Sequence, residues 1–141
     1  MDKYEKHKQR MEMRNIEYAE KRKNRADSKM SGYQLIDHAY NVREGTIKYG
    51  KGVTLNHLLA MAKVSWMLKR LNKRHYTELI FKKELGVGRA DIFVVNDLIV
   101  YEILCSESIS KFKEIKLQNY PAGLEIIPLK AEDVLKEDFK L

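Results

Sequence analysis

Residues 89–106 constrain the fold of this chain more than any other stretch. They read R-A-D-I-F-V-V-N-D-L-I-V-Y-E-I-L-C-S. Two apolar, β-branched runs flank Asn96-Asp97, the pattern of a β-hairpin. Both turn residues tolerate the left-handed backbone that tight hairpins use. With a two-residue loop, Val95 faces Leu98 and Val94 faces Ile99. Continuing the ladder pairs Phe93 with Val100, Ile92 with Tyr101 and Asp91 with Glu102. Two acids then stand opposite each other with β-carbons about 5 Å apart, and like charges so placed repel. A divalent cation between them would account for the pairing, because hard cations prefer carboxylate oxygens. The alternative is two solvated acids near strand ends. One residue of slip would send them to opposite faces.

The rest of the chain supplies partners for this hairpin. Residues 54–73 have an unbroken helical pattern that Thr54 can cap. His57, Met61, Val64, Leu68 and Leu71 share one face, and Leu55, Leu59, Ala62 and Trp66 lie nearly opposite. A helix apolar on two sides is expected to be covered on both. The sheet takes one side, and the N-terminal region or a second subunit takes the other. His57 falls in the first turn of an otherwise apolar face, where a structural histidine is the commoner outcome.

Residues 76–85 read as a strand and Gly86-Val87-Gly88 as its turn. If those three residues are the whole loop, Lys83 faces Asp91. Ile109, Phe112 and Ile115 mark a helix flanked by Lys111 and Lys113, and residues 124–129 form a last strand. Pro128 puts that strand near an edge or a strand end. The helix between the last two strands predicts a crossover and a parallel neighbour. The expected class is therefore α/β, with a mixed sheet flanked by helices.

Residues 1–53 are expected to form a basic helical extension, and residues 54–141 the folded domain. The first 30 residues hold ten Lys or Arg and six acids, without Gly or Pro. They read as a solvated helix, either an arm along nucleic-acid phosphates or a charged tail that orders against a partner. Within 31–43, Ser31 and Gln34 have capping-box spacing, and Leu35, Ile36, Ala39 and Tyr40 give a short apolar helix face. Lys48 and Lys51 sit in a Gly-containing turn that can touch phosphate, though a plain surface turn is the commoner role.

A net charge of +7 favours an anionic partner. Nucleic acid is the commonest, since Lys and Arg bound to phosphate release condensed counterions. Cys105 is the only cysteine, which excludes an internal disulfide and an all-cysteine zinc site. No apolar run approaches membrane-spanning length, and the charged N-terminus lacks a secretory pattern. A cytoplasmic protein without a membrane partner is the expectation.

An α-β-β-β-α-β order with one acid beginning strand two and another ending strand three resembles the PD-(D/E)XK nuclease superfamily. That superfamily has a restriction-endonuclease-like αβββαβ core and includes the archaeal Holliday junction resolvases. The resemblance covers about residues 54–129. Arg89-Ala90-Asp91 corresponds to the P-D element and Tyr101-Glu102-Ile103-Leu104 to (D/E)-x-K. It implies an endonuclease that hydrolyses DNA, with Mg²⁺ or Mn²⁺ held by Asp91, Glu102 and the Ile103 carbonyl. Arg89 would contact nucleic acid, as would Lys48 and Lys51. Leu104 replaces the family lysine, so a lysine from another element must serve, with Lys83 the expected one and Lys111 or Lys113 the alternatives. The glutamate that many members carry on the first helix is missing. His57 and Glu78 are the substitutes for an outer site. A homodimer is expected from the two-sided helix and the charged arm. The alternatives are a nuclease-like nucleic-acid-binding protein without catalysis and a basic protein-interaction module.

Overall fold

Two hydrophobic clusters, one on each face of a four-stranded mixed sheet, hold the chain together. The computed structural model describes residues 2–27, 32–38, 43–85, 89–115 and 119–141. The expected cap Ser31, the Ala39 and Tyr40 positions and the Gly86-Val87-Gly88 turn lie outside them.

The helices are α1 (Lys3–Asp27), α2 (Leu55–Arg70), α3 (Ile109–Ile115) and α4 (Ala131–Val134). The strands are β1 (His75–Ile80), β2 (Arg89–Val94), β3 (Ile99–Leu104) and β4 (Glu125–Lys130), and they lie side by side in that order. The β1–β2 and β2–β3 pairs are antiparallel, and β3–β4 is parallel, as the intervening helix requires.

The hairpin register matches the sequence reading, with Ile92 opposite Tyr101, Phe93 opposite Val100 and Val94 opposite Ile99. Its loop is longer than expected. Residues 95–98 form a four-residue turn, and Leu98 takes the left-handed conformation (φ 54°). Longer hairpin loops built this way keep the strand twist without a left-handed residue at Asn96 or Asp97.

One sheet face packs on α2 and α4 through Ala60, Met61, Val64, Leu68 and Val134. Thr54 caps α2 by accepting a hydrogen bond from the His57 amide at 3.2 Å. Leu71, expected on the inner face, follows the end of α2 and is exposed. The outer side of α2 is open: Leu55, Leu59 and Trp66 are 69%, 45% and 58% exposed, so α1 does not cover it within one chain.

The other face buries Leu35, Ile36, Phe93, Leu104 and Phe112. Phe81 meets Phe93 edge-on, with ring centroids 5.3 Å apart. The segment expected as a helix over 31–43 is instead a 3-10 turn (Gly32–Leu35) followed by a bridge from Ile36 to Phe81. Its backbone bonds go to the edge of β1: Asp37 N–H donates to Ile80 O, and Lys82 N–H to Leu35 O. Gly32 is needed here because a β-carbon would lie 2.3 Å from the Val95 carbonyl oxygen.

At the opposite edge, Glu125 N–H donates to Leu98 O. Alternation along the strand then turns the amides of residues 127 and 129 toward β3 and those of 126, 128 and 130 outward. Pro128 occupies an outward position, so the free edge of β4 lacks one donor. Among the described residues, no helix is long and apolar enough to cross a membrane.

Candidate metal centre

The acids meet where β2 and β3 part. Beyond the Ile92–Tyr101 pair, side chains replace the backbone ladder. Asp91 N–H donates to Glu102 Oε1 at 3.1 Å, and Ile103 N–H donates to Asp91 Oδ2 at 2.8 Å. The expected opposition of Asp91 and Glu102 is thus present, held by reciprocal backbone-to-carboxylate bonds.

The β1 register brings a third acid. Thr77 pairs with Ile92 and Leu79 with Ala90, which sets Glu78 beside Asp91. The expected pairing of Lys83 with Asp91 does not occur. The chain leaves the sheet after Phe81, and residues 83–85 turn away. Lys83 is exposed and lines a separate cleft with Ile36, Asp37, His38, Lys82 and Glu84. The connection from β1 to β2 is longer than three residues, because β1 ends at Ile80 and Phe81 is taken by the bridge to Ile36. Glu78 itself adopts φ 48°, a left-handed conformation that is costly for a side chain inside a strand. Such strain concentrates at functional sites.

From α2, the first-turn His57 completes the group. Its Nε2 lies 3.5 Å from Asp91 Oδ1, an ion-pair distance but too long for a good hydrogen bond. That nitrogen is buried without a hydrogen-bond partner. One donor atom each from His57, Glu78 and Asp91 lies within 4.8 Å of the others. A cleft of about 240 Å³ opens beside them, lined by His57, Asp91, Glu102, Ile103 and residues 104–107.

The electrostatics show the cost of the arrangement. Burial, then the neighbouring Asp91 charge, pushes the Glu102 carboxyl up to about 9. The same two causes, in the same order, raise Glu78. Arg89 opposes this with Nη1 3.6 Å from Glu78 Oε2. His57 is raised chiefly by Asp91, against the effect of its own burial. Two carboxyls, Asp91 and Glu78, therefore act on one imidazole, and Glu102 stands against Asp91. Tyr120 was not anticipated. Its hydroxyl hydrogen-bonds Glu102, and burial followed by that acid's charge raises the phenol. The available sequence signal was indirect, since a buried carboxyl needs donors and few side chains can supply them.

The other expected lysines lie outside the cleft lining. Lys111 and Lys113 are exposed on α3, and Lys51 is exposed in its turn. Lys48 is half-buried, its amide donating to Thr77 Oγ1 at 2.8 Å. Leu104 is buried in the core. Comparison with protein-family models, with characterised proteins and with solved structures found no match.

Proposed function

We propose that this chain is a metal-dependent nuclease that hydrolyses DNA phosphodiester bonds, with the restriction-endonuclease-like core its sequence resembles. The observation that carries the reading is the convergence of His57, Glu78 and Asp91, with Glu102 bonded to Asp91, beside a cleft that His57, Asp91 and Glu102 line. These groups suit a divalent cation: an orphaned buried imidazole nitrogen and two or three carboxyls have no better common partner. His57, Glu78 and Asp91 would hold it, with Glu102 adjacent. An imidazole ligand favours Mn²⁺ over Mg²⁺. When bound, such an ion lowers the pKa of water and polarises phosphate.

The chain's own contributions follow from the geometry. Ile103 N–H and the 3.5 Å approach of His57 orient the Asp91 carboxylate. Tyr120 orients Glu102. Arg89, more than half exposed and beside Glu78, supplies positive charge at the cleft margin for a phosphate. It takes the part that the sequence reading assigned to Lys83.

A second reading, nucleic-acid binding without catalysis, is favoured by one observation. Leu104 occupies the family lysine position and is packed in the core, and the cleft lining contains no lysine among the described residues. A cleavage panel of duplex, nicked, junction and single-stranded DNA, with RNA alongside, separates the two readings. The nuclease reading expects cleavage that needs Mn²⁺ or Mg²⁺, stops in EDTA and is faster with Mn²⁺. Binding without cleavage of any member would establish the second reading.

We also propose a homodimer, formed over the open outer side of α2 at Leu55, Leu59 and Trp66. Light scattering at high protein concentration should give twice the 16.6 kDa chain mass. A clean monomer mass rejects it.

A further inference from the structure

Helix α1 is more than a charged tail. Asp2 caps it, its carboxylate accepting the Glu5 amide at 2.8 Å. The 25-residue helix is about 37 Å long at the standard rise. Over residues 2–17 every side chain is exposed except half-buried His7 and Met11.

Over residues 2–17 most of the charges on this helix are sorted by face. Lys3, Lys6, Arg10 and Arg14 follow one another at helical spacing and form a single stripe. At 3.6 residues per turn, Glu12 falls opposite Lys3, and Glu5 lies near it on that far side. Glu17 interrupts the stripe once, and Lys8 stands off it. A helix selected for solubility alone gains by interspersing its charges so that opposite signs meet at i,i+4. Segregation forgoes part of that gain and concentrates positive potential along one line.

We infer that the basic stripe of α1 binds the phosphate backbone of duplex nucleic acid without reading its sequence. A row of cations about one helical turn apart, running about 16 Å from Lys3 to Arg14 at the standard rise, complements several successive phosphates of one strand. Contacts of this kind to phosphate position a protein on the duplex and carry no sequence information. A membrane surface fits less well, because Tyr4 and Met11 are separated by polar residues and make no continuous apolar stripe. A second copy is the competing occupant, its acidic face meeting this basic one. The net charge of residues 1–30, ten basic against six acidic, favours a polyanion. The inference does not depend on the metal chemistry. Binding is measured in EDTA, so failure of catalysis leaves it standing, and its own failure leaves the cleft reading untouched.

The experiment uses the full chain and a blunt, mixed-sequence DNA duplex several helical turns long. Affinity is followed by fluorescence anisotropy across a salt series. Each phosphate contact contributes about 0.9 to the slope of log K against log salt. The triple variant Lys3→Gln, Lys6→Gln, Arg10→Gln should lose about 2.7 from that slope. Glutamine keeps helix propensity close to that of Lys and Arg, and circular dichroism checks that the helix survives. The charge-preserving triple Lys3→Arg, Lys6→Arg, Arg10→Lys should retain the parental slope, as should Glu12→Gln on the far face. An unchanged slope in the glutamine triple overturns the inference. So does a glutamine triple that changes mass by light scattering while its slope stays parental, which would assign the stripe to a second copy.

Discussion

Asp91→Asn is expected to lower Mn²⁺ affinity by on the order of 100-fold or more and to abolish cleavage while the protein stays folded. The amide oxygen can still accept the Ile103 N–H now bound at 2.8 Å, so the β2–β3 splay keeps its brace. What disappears is the charge at the centre of the cluster, beside Glu78, Glu102 and His57. Loss of an outer-shell partner already costs about 10–100-fold at many metal sites, and Asp91 is proposed as a direct ligand. Without metal, removing one of three crowded carboxylates relieves repulsion, so Tm in EDTA should be unchanged or higher. Calorimetry with Mn²⁺ and thermal melts in EDTA test both halves. Parental Mn²⁺ affinity in Asp91→Asn would remove this residue from the site.

Glu102→Gln should change the pH dependence of stability more than any other single substitution at the cleft. Glu102 is raised to about 9 by burial first and the Asp91 charge second. The folded chain therefore holds a proton that the unfolded chain releases near the ordinary carboxylate pKa. Stability from this group is full below that range and falls as pH rises toward 9. Even half of the rise amounts to about 3 kcal/mol across the window, or roughly 10 °C in Tm for a chain of this size. Glutamine carries no such proton, so the Tm of Glu102→Gln in EDTA should fall less steeply over the same window, by the smaller amount that Glu78 and His57 contribute. In the parent, Mn²⁺ affinity should climb with pH, because binding beside Glu102 favours release of the proton. Parallel Tm profiles for the two proteins would mean that Glu102 ionises normally.

Legibility in the sequence followed the range of the physics involved. The Asp91–Glu102 opposition was readable because side chains alternate with period two and the two strands are joined by a short turn. Even a wrong loop length, two residues instead of four, left the register intact, since Val95 and Leu98 only moved from ladder to turn. Pairing β1 with β2 depended on where β1 stops, and that is decided by Ile36 bridging Phe81 from a distant segment. No local pattern around Lys83 records that contact. Glu78 was visible only as an acid on a strand. Its left-handed backbone comes from the sheet and not from residue preference. His57 stood out as the polar residue on an apolar helix face, where a structural histidine is the expected outcome, and its Nε2 lies 3.5 Å from Asp91 Oδ1. Tyr120, far along the chain from Glu102, gave no signal that spacing could detect.

The parallel β3–β4 pair also bears on how the chain reaches this state. The β1–β2–β3 meander closes through short connections, whereas β4 arrives only after the chain has passed through α3. Until it does, the run I-V-Y-E-I-L of β3 offers an open edge of unpaired amides and carbonyls. Long-range parallel pairing is slow to form, so this is the interval in which another chain can compete for that edge. When β4 docks it closes one edge and becomes the next. Pro128, opposite Glu102, leaves that new edge one donor short, so strand addition ends with the fourth strand.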